Sequence, residues 1–231
     1  MLTFYEQLYI RLHYSPDEEA LVDLAASSSE LIAAAGLFVN LMLINRIRLD
    51  NGQLTILDSR PTHDDLLDET LARIASVGPI NHDDPEWFQQ IVDKLSLGAR
   101  LFLQIMEKVI VYRHEKKGLL GLSKTIIYPF HDPAIRAALF EPERAIMLHG
   151  ARPDPITATI IFMAYCWGAP RPWKLSRQEE NVYEKRWRNI FGEYWGWYDK
   201  NDRVEPIEGL TADLRYAIAD ISISWATLHL A

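Results

Sequence analysis

Apolar residues recur at helical spacing along most of the chain, and short polar segments mark where each helix begins. The longest apolar run extends from Glu30 to about Ile44, and Ser27 forms a capping box with Glu30 in front of it. Because few polar residues interrupt this run, we expect a helix at the centre of the core. Arg46 and Arg48 follow it, and basic residues at this point suit both an exit to the surface and the helix dipole.

Helix-start signals of the same kind recur along the sequence. They predict helices that open at Ser15-Pro16, Thr62, Asp84-Pro85, Pro133, Pro142, Asp154-Pro155, Ser176 and Thr211. We expect the helix after Pro133 to be separate from the one that Pro142 opens, because proline commonly starts a helix and rarely lies inside one.

Two places have the residue pattern of strands. One surrounds Asn51-Gly52, a pair typical of a two-residue hairpin turn. The other has β-branched and aromatic residues at 109–112 and 125–128 on either side of a glycine-containing tip. The pattern therefore predicts an all-α fold class that is mostly helical and carries two small β-hairpins. No obvious linker divides residues 1–231, so we expect a single domain, although the length would also fit two small ones.

Composition narrows the range of functions. The formal net charge is −8, so the chain has no excess of cations for binding nucleic acid, although a local basic patch could still contact an anionic membrane. The single cysteine, Cys166, excludes an internal disulfide and fits a reducing compartment. The apolar runs are shorter than the roughly 20 residues that span a bilayer. We therefore expect a cytoplasmic protein whose membrane contact, if any, is peripheral.

Residues that could support catalysis are explained by helix structure. The acidic residues of "THDDLLDE" (62–69) lie in a predicted first turn, where the helix dipole favours them. His63 and Asp68 do not have the spacing of a metal-binding pair on a helix. Cys166 lies in an apolar helix, which is typical of an inert buried thiol. The sequence thus predicts no enzyme, no catalytic residue, no metal and no cofactor.

The second hairpin has an unusual tip, "RHEKKGLLGLSK". Cations outnumber acids there and flank three leucines: Arg113, Lys116, Lys117 and Lys124 around Leu119, Leu120 and Leu122. Cations beside exposed leucines would suit shallow insertion into a membrane. The alternative is that the leucines pack on the helices or on another subunit, and packing is the commoner role for such residues.

A second segment, "YEKRWRNIFGEYWGWYDK" (183–200), combines aromatic and basic residues. It could stack on sugars or bases, lie at a membrane interface, or line a small-molecule pocket near Tyr194 to Tyr198. Trp187, Phe191 and Trp195 have helical spacing, which favours covering the core instead.

The order of two motifs resembles the Golgi phosphoprotein 3 family. Its members have a helix ending in L-x-R-G-R-L, which Arg46, Arg48 and Leu49 match here with Ile47 in place of glycine. A later P-T-x-D-x-L-L-D-E-x-L motif matches "PTHDDLLDETL" from Pro61. The resemblance covers residues 30–168 well and 169–231 loosely. It implies a compact domain around a central four-helix bundle, with a protruding hairpin used for self-association.

The resemblance also implies a function. Eukaryotic members are cytosolic proteins that bind phosphatidylinositol 4-phosphate at the Golgi and link glycosyltransferase tails to retrieval coats. Their head-group pocket contains one tryptophan and three arginines, and the corresponding positions here are Ser27, Gly36, Leu95 and Gly98. None of these can make charge-assisted contacts to phosphate. The chain therefore resembles a divergent member, and the lost arginines suggest a bacterial relative; nearby Arg100 could supply part of such a site.

Our leading expectation is a non-enzymatic peripheral membrane or lipid-binding adaptor. Its candidate lipid contacts are Arg46, Arg48, Arg100, Lys116 and Lys117. The alternative is a protein–protein interaction or oligomerisation module that has lost the lipid site. In that case the hairpin at 109–128, with Leu119, Leu120 and Leu122, would join two copies of the chain.

Overall fold

A computed structural model of the chain describes residues 2–22, 28–50, 53–77, 97–108, 110–117 and 124–192, with five single residues between 207 and 221. The described helices are α1 (Phe4–His13), α2 (Ser28–Leu43), α3 (Asp65–Val77), α4 (Leu97–Glu107), α5 (Pro133–His149), α6 (Pro155–Cys166) and α7 (Arg177–Phe191). The described strands are β1 (Tyr14–Ser15), β2 (Ala20–Leu21), β3 (Ile47–Asp50), β4 (Gln53–Ile56), β5 (His114–Lys117) and β6 (Lys124–Pro129).

The chain divides into two compact units. The first contains residues 1–9, 24–105 and 212–231, and the second contains 10–23 and 106–211. The prediction of one domain over residues 1–231 stays a prediction. The mostly helical fold with small antiparallel sheets is confirmed, whereas the four-helix bundle also stays a prediction.

The first unit is built on α2, whose apolar residues are buried as the sequence predicted. Leu37, Phe38 and Leu41 are all fully buried. The strands β3 and β4 pair antiparallel after α2, so the first predicted hairpin is confirmed in its described strands. Asn51 and Gly52 of its turn lie outside the described residues.

The second unit contains a four-stranded antiparallel sheet in the order β1-β2-β6-β5. Leu21 of β2 lies opposite Tyr128 of β6, and Glu115 of β5 lies opposite Ile126. The ring centroid of Tyr14 on β1 is 4.5 Å from that of Phe140 on α5. The short strands β1 and β2 thus connect the hairpin to a helical core.

The helix predicted after Ser15-Pro16 is wrong. Residues 16–19 form a turn, and Ala20 and Leu21 form β2, where both side chains are fully buried. Pairing with β6 determines this conformation, because burial and ladder hydrogen bonds outweigh the helical preference of "DEEALVDLAA".

Two other boundaries also differ from the prediction. The helices expected after Pro133 and Pro142 are one helix, α5, with Pro142 inside it. The buried side chains of Phe140 and Ile146 on either side of Pro142 hold this helix in the core. The strand expected at 109–112 begins later, at His114, and Val111 makes only an isolated bridge to Phe130.

Other predictions are confirmed. Ser176 and Glu179 form the expected capping box of α7, and Asp154 caps α6. The helices predicted from Asp84-Pro85 and from Thr211 lie largely outside the described residues. Within the described part of the chain, no helix has both the length and the apolar character needed to cross a membrane.

Candidate functional site

Arg46 is the first candidate contact, and its guanidinium is engaged within the protein. Arg46 Nη1 lies 2.8 Å from Asp58 Oδ2, and the two Nη atoms donate to the carbonyl oxygens of Arg60 (2.9 Å) and Pro61 (3.3 Å). The hydrogen bonds from Arg60, together with the charge of Arg46, hold the pKa of Asp58 well below its ordinary value. Arg46 therefore ties the end of the first hairpin to the segment that leads into α3.

Arg48 differs from Arg46 in its surroundings. It is exposed on β3, opposite Thr55 of β4. The neighbouring Ile44 and Leu57 are each 45 % exposed. Of the two arginines in the matched motif, Arg48 is thus the one that faces solvent.

The second matched motif forms the start of α3. Asp64 Oδ1 accepts hydrogen bonds from the amides of Leu66 and Leu67, each at 3.1 Å, so Asp64 is the N-cap. Thr62, the predicted cap, instead donates through its amide (2.6 Å) and hydroxyl (2.7 Å) to Asp68. The predicted N-cap was wrong by two positions. The Thr62 hydroxyl hydrogen-bonds to Asp68 and therefore does not cap α3.

Asp64 also has a tertiary role. Tyr5 Oη donates to Asp64 Oδ2 at 2.6 Å, and burial raises the pKa of Tyr5 above its ordinary value. Leu66, Leu67 and Leu71 are buried. The motif is accounted for by helix capping and by a buried leucine stripe, as its sequence predicted.

The described head-group positions are closely packed. A Cβ atom on Gly36 would lie 3.1 Å from Tyr5 Cβ and 3.3 Å from Tyr5 Cα, so there is little room for a larger side chain. The amide of Gly98 donates to Glu30 Oε2 at 2.8 Å. A carboxylate of the chain itself thus lies beside one of the positions aligned with the family's head-group pocket. Ser27 and Leu95 lie outside the described residues.

Arg100, the candidate cation near these positions, pairs with Glu69 of α3. Both side chains are 41 % exposed. Arg100 is therefore neutralised by a neighbour, although solvent can still reach the pair.

Among the described residues, the second hairpin places several cations on a sheet edge. Every residue of β5 is exposed, and Lys117 lies directly opposite Lys124 at the end of the described ladder. Lys116 Nζ is 2.6 Å from Glu18, and Glu115 lies 3.6 Å from Lys124 Nζ. Leu119, Leu120 and Leu122 lie outside the described residues, so both interpretations of the tip stay predictions.

A feature that we did not predict is the acidic turn, which we define as Asp17, Glu18 and Glu19 between β1 and β2. Each of its acids pairs with a cation from a different segment of the second unit. The pairs are Asp17–Lys174 at 3.0 Å, Glu18–Lys116 at 2.6 Å and Glu19–Arg136 at 2.6 Å. Three consecutive acids after Ser-Pro could have indicated this turn, but they also suit the first turn of a helix.

Groups with catalytic potential are few among the described residues. There, no cluster of three or more His, Cys, Asp or Glu residues is placed to hold a metal ion. Burial raises the pKa of Cys166 to about 12, so its thiol is protonated at neutral pH and is a weak nucleophile.

The fold and these surfaces define a mostly helical protein with a small antiparallel sheet and a basic edge hairpin. The family model of Golgi phosphoprotein 3 (GPP34) matches residues 5–195, and the chain therefore belongs to the Golgi phosphoprotein 3 family. This confirms the resemblance and extends it beyond the part that the motifs covered. A search among curated proteins finds no match.

Proposed function

We propose that the protein is a non-enzymatic adaptor that binds anionic membrane surfaces through the hairpin formed by β5 and β6. Family membership supports a lipid-binding adaptor in general terms. The observation that carries the proposal is that Lys117 of β5 lies directly opposite Lys124 of β6. Lys116 is next to Lys117, and every residue of β5 is exposed.

Like charges directly opposite each other destabilise an antiparallel pair in water. Near an anionic bilayer the same arrangement becomes favourable, since each basic residue close to the surface contributes about 1 kcal/mol. The net charge of −8 opposes general adsorption. Binding would therefore require this hairpin to face the membrane.

The described residues at the positions aligned with the family's head-group pocket offer no site for one particular phosphoinositide. They therefore favour binding that depends on negative charge in general. Gly36 and Gly98 supply no cation, and Glu30 places a carboxylate beside Gly98. Since a phosphate would be repelled by that carboxylate, we propose that the protein does not distinguish phosphatidylinositol 4-phosphate from other anionic lipids of equal charge.

Co-sedimentation with vesicles tests this proposal. We expect salt-sensitive binding to phosphatidylglycerol-rich vesicles and none to neutral vesicles. The variant Lys116→Glu/Lys117→Glu should abolish binding. The control Lys185→Glu/Arg188→Glu makes the same change in charge at exposed positions of α7 and should bind like the wild type. If both variants lost binding equally, binding would depend only on net charge. If Lys116→Glu/Lys117→Glu bound vesicles like the wild type, the hairpin would be excluded as the membrane contact.

A second candidate function is an oligomerisation module, which the exposed edge strand β5 favours. An unpaired strand edge can add a strand from a second copy, and Ile126 of β6 is 41 % exposed beside it. Light scattering after size-exclusion chromatography would reveal a dimer. In that case Glu115→Pro, which removes an amide from the edge strand, should yield a monomer.

A further inference from the structure

A cleft of about 520 Å³ lies in the second unit, beside the acidic turn. Its other walls come from α5 and from the segment 172–174. The volume falls within the range of small-molecule sites. Neither the family motifs nor the basic hairpin involves this cleft, so it goes beyond the proposed function.

Three cations line the cleft. Arg136 and Arg144 lie on α5 about two turns apart, and Lys174 comes from the segment opposite. Arginine presents a planar set of donors that matches phosphate oxygens, and lysine adds a mobile positive charge. This set of residues is suited to a small ligand that carries a phosphate group.

Two of these cations are neutralised by the acidic turn. Arg136 is 2.6 Å from Glu19 Oε2, and Lys174 is 3.0 Å from Asp17 Oδ1. The side chains of Glu19 and Asp17 are 67 % and 76 % exposed. Since such solvent-exposed pairs are weak, a ligand can replace either carboxylate at little cost.

The turn is also held in an uncommon backbone conformation. Glu19 has a φ of 50°, in the left-handed region that residues with a Cβ atom rarely adopt. Its carboxylate reaches Arg136 from this conformation. Release of Arg136 would free the Glu19 side chain, which is already largely exposed, to move fully into solvent.

Trp173 and Arg144 supply further donors. Trp173 Nε1 and Arg144 Nε are both shielded from solvent, and neither has an acceptor among the described residues. Both groups can only donate hydrogen bonds. Both residues line the cleft, so they are candidates to donate to a bound phosphate.

From these observations we propose that the cleft binds a phosphomonoester, and that the acidic turn is a built-in competitor that occupies its cations. With the turn in place, Asp17, Glu19 and Glu141 balance the three cations. When the turn moves away, two of these acids leave, Glu141 remains in the lining and Glu179 remains close to Arg144, so the cleft becomes more positive. The same chemistry is present in a soluble phosphate ester and in the head group of phosphatidic acid.

Isothermal titration calorimetry of the full chain with glycerol 3-phosphate tests the proposal. We expect saturable binding that Asp17→Asn/Glu19→Gln tightens about fivefold, the effect of one exposed ion pair. The control Asp65→Asn/Glu107→Gln removes the same charge from exposed residues elsewhere and should leave the affinity unchanged. An affinity of the first variant no higher than that of the control would overturn the role of the turn.

The cations are tested in the same way. Arg144→Ala should weaken binding, and Lys174→Gln at a highly exposed position provides a second variant that leaves the packing of α5 intact. The site itself would be overturned if neither the wild type nor Asp17→Asn/Glu19→Gln gave saturable heat with glycerol 3-phosphate and if Arg144→Ala also left binding to phosphatidic acid vesicles unchanged in the Lys116→Glu/Lys117→Glu background. Vesicles of phosphatidic acid then separate the two sources, because binding to vesicles without binding to glycerol 3-phosphate would place the ligand in a membrane. The variant Lys116→Glu/Lys117→Glu should bind glycerol 3-phosphate normally.

Discussion

Arg11 and Glu143 form a two-point ion pair in the interior of the second unit. Arg11 Nε lies 2.7 Å from Glu143 Oε2, Nη2 lies 3.2 Å from Oε1, and each side chain is 4 % exposed. The remaining donor of Arg11 reaches the carbonyl of Pro170 at 2.7 Å, and Tyr183 Oη donates to Glu143. The pair therefore joins α1, α5, α7 and the segment before α7.

Removal of one charge from this pair should destabilise the protein strongly. Glu143→Gln leaves the Arg11 charge buried without a counter-ion, so we expect a loss of about 3–5 kcal/mol in the free energy of unfolding. Glu180→Gln is the control, because Glu180 pairs with Arg171 at an exposed site where a pair contributes about 1 kcal/mol or less. Urea unfolding measures the free energy of unfolding of both variants. Equal losses would contradict a special contribution of the buried Arg11–Glu143 pair.

Gly36 should not accept a larger side chain. Gly36→Leu would force the new side chain against the backbone of Tyr5, and overpacking of this kind costs about 1–3 kcal/mol. The same change at Gly192, where no described atom lies within 4 Å of a Cβ, should cost much less. Thermal unfolding followed by circular dichroism compares the two variants. A stable Gly36→Leu protein would show that this position has room for a longer side chain.

Arg46 should contribute to stability, and Arg48 should contribute less. Arg46→Ala removes the ion pair to Asp58 and two carbonyl contacts, so we expect a loss of about 1–2 kcal/mol. Arg48→Ala changes an exposed position and should stay within about 0.5 kcal/mol of the wild type. Vesicle binding by folded Arg46→Ala should be unchanged. Lost binding with unchanged stability would return Arg46 to the list of lipid contacts.

Asp68 should make stability depend on pH in the acid range. The hydrogen bonds from the Thr62 amide and hydroxyl lower the pKa of Asp68 in the folded protein. Its stabilising effect is therefore complete above the unfolded pKa of about 3.9 and is lost as the pH falls through the lower folded value. Asp68→Asn should lower the urea midpoint at neutral pH and reduce its fall in acid. If the urea midpoint of Asp68→Asn fell in acid as much as that of the wild type, Asp68 would not be a source of the acid sensitivity.

The helices were largely predictable from local signals. The apolar run of α2 and the capping box of Ser176 determine their structures through neighbouring residues alone. The acidic turn was not predictable, because "DEE" after Ser-Pro suits a helix start until β6 supplies a partner for Leu21. Pro142 was misread for a similar reason, since burial of Phe140 and Ile146 keeps α5 continuous across it.

The candidate functional residues also divide into those whose role follows from neighbouring residues and those whose role depends on the folded chain. The leucines of "PTHDDLLDETL" were predicted from their helical spacing, whereas the capping residue was not, because Thr62 hydrogen-bonds to Asp68 and Asp64 caps the helix. The partners of Glu30, Arg46 and Arg100 were not predictable, since each depends on a residue that is distant in sequence or on loop geometry. Pairing of charged side chains is decided by the folded chain, and it determines which cations face solvent.

Cys166 has a practical consequence. It is the only thiol in the chain, and at neutral pH almost all of it is protonated. Maleimide reagents, which attack thiolates, should therefore leave it unmodified while they label an exposed cysteine introduced at position 114 of β5, which leaves the lysines in place. A fluorophore attached there would report directly on whether β5 enters a less polar environment when vesicles are added.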